Sequence, residues 1–182
     1  TAFDFMFASE SIGSGDLNGI QQIPIPFVNS EGWCVKPGAL AWQTDKVVEN
    51  KTSEPIIIVD DTNHPLAAGF SSGTTVEIAK EGLIVASIPQ IDIIPIAALS
   101  SDESKMVIYG IEAGTENSGG VTIENRVATV GIHAEGYPSI TEDAFKFYKA
   151  AVDWVLKEGD VAVENGETAS PADFSLHQNY PN

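Results

Sequence analysis

The sequence predicts an α/β domain built on a central, largely parallel sheet with antiparallel additions. Three observations carry that prediction. Ile56-Ile57-Ile58-Val59 is a continuous β-branched run, the pattern of a strand covered on both faces. The apolar runs that end at Ala8 and Val28 open directly into small-residue loops, which is how α/β sheets present their sites. Ser139-Ile140-Thr141-Glu142 reads as a capping box, and Ala144, Phe145, Tyr148, Ala151, Val152 and Val155 then recur at helical spacing until Gly159 stops the pattern.

Taken in order, Ala2–Ala8 is a buried strand (Phe3, Phe5, Met6, Phe7) that feeds the loop Ser9-Glu10-Ser11-Ile12-Gly13-Ser14-Gly15-Asp16. A short helix is expected over Leu17–Gln22, and a second strand over Ile23–Val28 leads into Asn29-Ser30-Glu31-Gly32-Trp33-Cys34. Pro55–Asp60 is the third strand, followed by a turn through His64-Pro65 and a short helix over Leu66–Phe70. Thr74–Ala79, Leu83–Ile88, Ile93–Leu99, Lys105–Glu112 and Arg126–His133 supply five more strands, separated by Gly, Ser or Asp clusters. In the final helix Phe147 and Trp154 add a neighbouring apolar stripe, so that helix is expected to be covered over a wide arc. Residues 1–158 thus form one α/β domain, 159–173 a polar linker and 174–182 a tail.

Composition narrows the function. With 182 residues, 43% hydrophobic and 19% charged, the chain has enough apolar content for one core and too much for disorder. Nine Lys+Arg against 26 Asp+Glu give a net charge of −17, which repels phosphate backbones and anionic lipid, so no nucleic-acid partner is expected. The apolar stretch Leu83–Leu99 is broken by Pro89, Gln90, Asp92 and Pro95, so no membrane insertion is expected either. A single Cys34 excludes an internal disulfide and any multi-cysteine zinc site. The start at Thr1, without initiator Met or leader, is that expected of a processed chain or a fragment.

Two resemblances add to this reading. The tail Phe174-Ser175-Leu176-His177-Gln178-Asn179-Tyr180-Pro181-Asn182 resembles the start of the C-terminal sorting domain of type IX secreted proteins of the Bacteroidota kind, F-x-L-x-Q-N-Y-P-N. That resemblance implies export and an extracellular or outer-cell-surface location. The body, roughly Ala2 to Leu156, resembles the later two-thirds of a class I glutamine-amidotransferase-like domain, nearest its trehalose-utilisation (ThuA-like) branch. Phe3–Gly15 is similar to that branch's strand and loop D-x-V-x-x-S-E-S-x-x-S, and Asn63–Phe70 to its H-P-[IL]-x-x-G-[FL]; Arg126–His133 leads into the helix ending Ala151-Val152-Asp153-Trp154. The resemblance implies a flavodoxin-like sheet whose initial β-α-β portion has no counterpart here.

It also implies where chemistry would sit. In catalytic members the second strand here ends in an elbow bearing a nucleophilic Cys beside backbone N–H donors. This chain has Asn29-Ser30-Glu31-Gly32 there, and Cys34 comes later, beside Trp33, as a small buried hydrophobe. The family's base is a His followed two residues later by Glu, matched by His133 and Glu135; a carboxylate orients such a His. These two are the candidate catalytic residues. Ser9, Glu10, Ser30 and Glu31 are the candidate ligand-binding residues, since all six follow strands that deliver their loops to one sheet edge. Glu31 with His133 could hold a metal or a polar ligand, though two groups rarely bind a metal tightly without a third.

The remaining motifs read structurally. Asp60, Asp61 and Asp102 lie outside any calcium-loop pattern, Ser9, Ser11 and Ser14 suit capping of the next helix, and Gly13 with Gly15 lacks the rest of a phosphate loop. No cofactor and no metal are expected. The function expected is that of an exported, non-catalytic module binding a carbohydrate, a protein partner or copies of itself. The alternative is a ThuA-like carbohydrate-processing enzyme or hydrolase using His133 and Glu135.

Overall fold

The computed structural model describes residues 4–44 and 48–157; the expected linker and tail lie outside the described residues. Nine strands form one sheet, in the order β1 (Met6–Ala8), β2 (Phe27–Asn29), β9 (Val127–Val130), β8 (Asp102–Ile111), β7 (Ile94–Leu99), β4 (Ile56–Ile58), β5 (Thr75–Val76). Off this path, β6 (Leu83–Ser87) joins β8 and β3 (Val48–Thr52). With the helix α1 (Glu142–Leu156) this is a mixed α/β architecture.

The largely parallel sheet expected from the sequence is corrected by the pairing. Only β1–β2 and β2–β9 run parallel, with registers Phe7↔Val28 and Val28↔Ala128. The other six described pairings are antiparallel. Connection length explains the difference, because parallel neighbours need a long crossover whereas short links reverse the chain. Only Ser100 and Ser101 separate β7 from β8, while the link from β1 to β2 spans the residues between Ala8 and Phe27.

Strand β3 was not expected: Val48-Glu49-Asn50-Lys51-Thr52 shows little apolar pattern, and its strand state comes from pairing antiparallel with β6, Val48 opposite Ser87. The helix expected at Leu17–Gln22 is instead two 3-10 turns, Ser14–Leu17 and Ile20–Gln22, parted by Gly19 at φ 81°. That expected at Leu66–Phe70 is a 3-10 turn, Pro65–Ala67, ended by the left-handed Ala68. The N-cap of α1 is Thr141, whose Oγ1 accepts from Ala144 N at 3.2 Å; Ser139 Oγ, the expected cap, donates to the Glu81 carbonyl at 2.7 Å instead.

The sheet has an apolar cluster on each face. Phe27 and Val127 enter one cluster with Cys34, Trp42 and Tyr109; Val28, Ala128 and Val130 enter the other with Phe147, Ala151 and Trp154 of α1. This alternation buries β9 at every position, as a doubly covered parallel strand requires. Just beyond β9 a side chain at Gly131 would place its Cβ 2.1 Å from the Val85 carbonyl oxygen. Only glycine permits that approach, and it sets the course of the chain into His133.

Candidate functional site

The three parallel strands end side by side, and the loops leaving them meet. Glu10 follows β1, Ser30 and Glu31 follow β2, and His133 follows β9. The Glu135 N–H donates to His133 Nδ1 at 3.2 Å, which makes Nδ1 the acceptor and leaves the hydrogen on Nε2. Nε2 faces Glu10 Oε1 at 3.2 Å, and the Ala134 N–H donates to Glu10 Oε2 at 3.2 Å. The Glu10 side chain is 8% exposed and that of His133 19%, so this pair is largely withdrawn from water. Glu10's own N–H points to the Tyr137 hydroxyl at 3.5 Å, at the outer limit of a hydrogen bond.

Glu31 is 3% exposed. Its N–H donates to Asn29 Oδ1 at 3.1 Å, and its Oε1 accepts from Trp33 N at 3.1 Å, capping the 3-10 turn Gly32–Val35. Burial pushes its carboxyl up to about 7, helped by the nearby Glu10 carboxylate; the Trp33 N–H and Lys36 offset part of that rise. Near neutral pH the site therefore holds a second carboxyl group that keeps its proton much of the time. Ser30 is fully buried: its Oγ donates to the Val130 carbonyl at 3.0 Å, which leaves the Tyr148 hydroxyl to donate to it at 2.8 Å. This bond ties the β2 loop to α1.

The structure thus brings Glu10 and His133 into contact and places Glu31 near enough for the Glu10 charge to act on it, while Ser30 is held in the same β2 loop by Val130 and Tyr148. Ser9 sits apart, its Oγ 2.6 Å from that of Ser11, and Glu135 reaches His133 through its backbone N–H while its side chain is exposed. The carboxylate on the imidazole is Glu10, not Glu135. Sequence spacing could not reveal that partner, because 124 positions separate Glu10 from Ala134. Tyr137 and Tyr148 were also missed as site residues; a helical Tyr at a core-facing position carries no signal beyond its periodicity.

The other candidates resolve into structure. Cys34 is fully buried with Sγ 3.5 Å from Asn29 Oδ1, and burial, reinforced by the Glu31 carboxylate, holds its thiol well above the usual range, so no thiolate forms. The serines do not cap the 3-10 turn at Ser14, whose N-cap, Gly13, has no side-chain bond. Asp60 accepts from Thr62 N, Thr62 Oγ1 and His64 N, which closes its turn, and His64 Nδ1 accepts from Leu66 N at 3.2 Å. Among the described residues no group of three or more His, Cys, Asp or Glu is placed to hold a metal ion.

Beside the polar cluster runs an open apolar groove of about 310 Å³, lined by Phe5, Phe7, Tyr137, Phe145, Tyr148 and Val152. Tyr137 and Tyr148 border both features. No helix among the described residues is long and apolar enough to cross a membrane. Comparison of the chain with protein-family models, with curated proteins and with solved structures gives no match.

Proposed function

We propose that this chain is an exported, non-catalytic α/β module of the cell surface or its surroundings that binds a carbohydrate at the Glu10–Glu31–His133 cluster. One observation carries the proposal: the Glu10 carboxylate meets the His133 imidazole at the carboxyl ends of the three parallel strands, and the buried Glu31 carboxyl lies near enough to feel the Glu10 charge. Burying such groups costs stability, and a strongly perturbed carboxyl beside a specific charge partner is a mark of a functional site. The ligand class follows from the donors and acceptors. Glu10 and Glu31 offer oxygens to hydroxyl hydrogens, and a protonated Glu31 also donates, which suits a polyol and repels anions. The acidic chain argues likewise against phosphate or sulfate ligands.

Export rests on the resemblance of Phe174–Asn182 to a sorting signal, and a flavodoxin-like relation on the amidotransferase-like motifs. The non-catalytic reading rests on the elbow Asn29-Ser30-Glu31-Gly32, which has no thiol, and on Cys34 beyond it, which is sealed in the core. A second reading, a carbohydrate hydrolase using His133, is favoured by the unlike environments of the two carboxyls. Glu10 is hydrogen-bonded on both oxygens while Glu31 is raised, a division that suits acid–base work.

A panel of neutral and anionic oligosaccharides, titrated calorimetrically into the wild-type chain and the Glu10→Gln/His133→Ala variant, tests both. The proposal expects a neutral sugar to bind wild type and to lose about tenfold or more in affinity in the variant, with the melting transition retained. Conversion of the sugar during the titration favours the hydrolase. Equal binding by wild type and variant, or binding of anionic sugars alone, contradicts the site.

A further inference from the structure

The turn between β4 and β5 is closed by a side chain that a proton would disable. Pro65–Ala67 is a single 3-10 turn, and Asn63 before it and Ala68 after it are both left-handed, at φ 57° and 54°. Asparagine tolerates that conformation, whereas alanine rarely adopts it and keeps it only where the surroundings hold it there. The hold comes from two sides. On one, Asp60 Oδ2 accepts from His64 N at 2.7 Å, and His64 Nδ1 accepts from Leu66 N at 3.2 Å, the N-cap bond of the turn. On the other, Leu66 and Ala67 are each 1% exposed and share a core cluster with Phe147, Ala151 and Trp154 of α1. Leu66 and the Trp154 ring both press on β8 at Gly110, where a Cβ would stand 2.7 Å from Leu66 Cδ1 and 3.0 Å from Trp154 Cη2.

The cap bond is the part of this hold that depends on charge. An imidazole accepts only through an unprotonated nitrogen, so the bond from Leu66 N–H requires a neutral His64 with its hydrogen on Nε2. In the charged ring Nδ1 becomes a donor, and two N–H groups would face each other across 3.2 Å. The neighbouring elements bear on that charge from several directions. Asp60 after β4 and Glu112 after β8 favour the charged ring, while Arg126 before β9, paired with Glu112 at 2.8 Å, opposes it. From α1 comes the uncharged Trp154 ring, edge-on at 5.5 Å. Burial outweighs the two carboxylates and holds the His64 ring below the usual histidine range. Closure is therefore favoured most where the released ring would be neutral, and it weakens as the pH falls through the released ring's ordinary value. We propose that His64 is an acid-released latch: on gaining a proton it lets go of Leu66 N–H and turns to water, and the turn Pro65–Ala67 opens away from Trp154 and β8. The latch is independent of the carbohydrate reading, since none of its residues belongs to the Glu10–Glu31–His133 cluster.

The test is amide hydrogen exchange of the whole ¹⁵N-labelled chain at about pH 8 and about pH 5, on either side of the ordinary histidine value, with each rate divided by its intrinsic value at that pH. Protection of the Leu66 N–H should fall about threefold or more at the lower pH, while that of the Ala151 N–H in α1 does not fall with it. His64→Asn supplies a capping oxygen in place of Nδ1 and does not titrate, so in that variant Leu66 should be protected equally at both pH values. His64→Ser, a second capping side chain, should behave in the same way. Leu66 protection that ignores pH in wild type, or an equal loss at Ala151, overturns the proposal. So does a pH dependence that survives in either folded variant. The wild-type ring gives a check that needs no variant: its ¹⁵N shifts at about pH 8 should place the hydrogen on Nε2, and a hydrogen on Nδ1 contradicts the cap bond and the latch with it.

Discussion

Glu31 gathers the electrostatics of the site into one side chain, and its environment fixes how stability should depend on pH. A carboxyl whose folded value lies near 7, above about 4.3 in the unfolded chain, favours folding fully at low pH. That contribution is lost as pH rises through the folded value, because the native state must then bury a charge. Urea unfolding should show stability falling between about pH 4.5 and pH 7 and levelling above, the Glu31 part amounting to at most about 4 kcal/mol. Glu31→Gln should flatten that fall and leave the variant more stable than wild type at pH 8. A variant whose pH profile parallels wild type would remove Glu31 as the cause. The position of Glu31 and His133 after strands was legible in sequence. Their tie to Glu10 was not, because it is made by folding alone.

At the scale of elements, α1 was the most legible part of the chain, since its apolar spacing follows one helical face and depends on nothing distant. Its first residue was less so. Two hydroxyls, Ser139 and Thr141, each suit an N-cap, and only the approach of the residues before β6 decides between them: Ser139 is drawn to Glu81 and Thr141 caps. Thr141→Ala should therefore cost about 1 kcal/mol in thermal or urea unfolding. Loss of the Thr141 Oγ1 bond to the Glu77 carbonyl adds to that cost. Ser139→Ala should leave the α1 cap intact, and the opposite order would place the cap wrongly. Strand direction was least legible. The run at Ile56–Ile58 reads as a doubly buried strand, but burial on two faces is equally compatible with antiparallel partners, which is what it has.

At the scale of the molecule, the antiparallel strands β3 to β8 form the larger part of the sheet, while the parallel set β1, β2 and β9 is short and carries the candidate site on its carboxyl edge. The sequence scatters these loops along the chain, and the sheet brings them to one point. That two buried carboxyl groups share this point with an imidazole is the central claim, and carboxyl NMR of the chain labelled with ¹³C at glutamate Cδ tests it directly. The result expected is one glutamate resonance titrating near pH 7, lost in Glu31→Gln and shifted to lower pH in Glu10→Gln, where the neighbouring charge is gone. If every glutamate titrates in the ordinary carboxylate range, or the raised one is unmoved by Glu10→Gln, the two groups do not share a site and the account is contradicted.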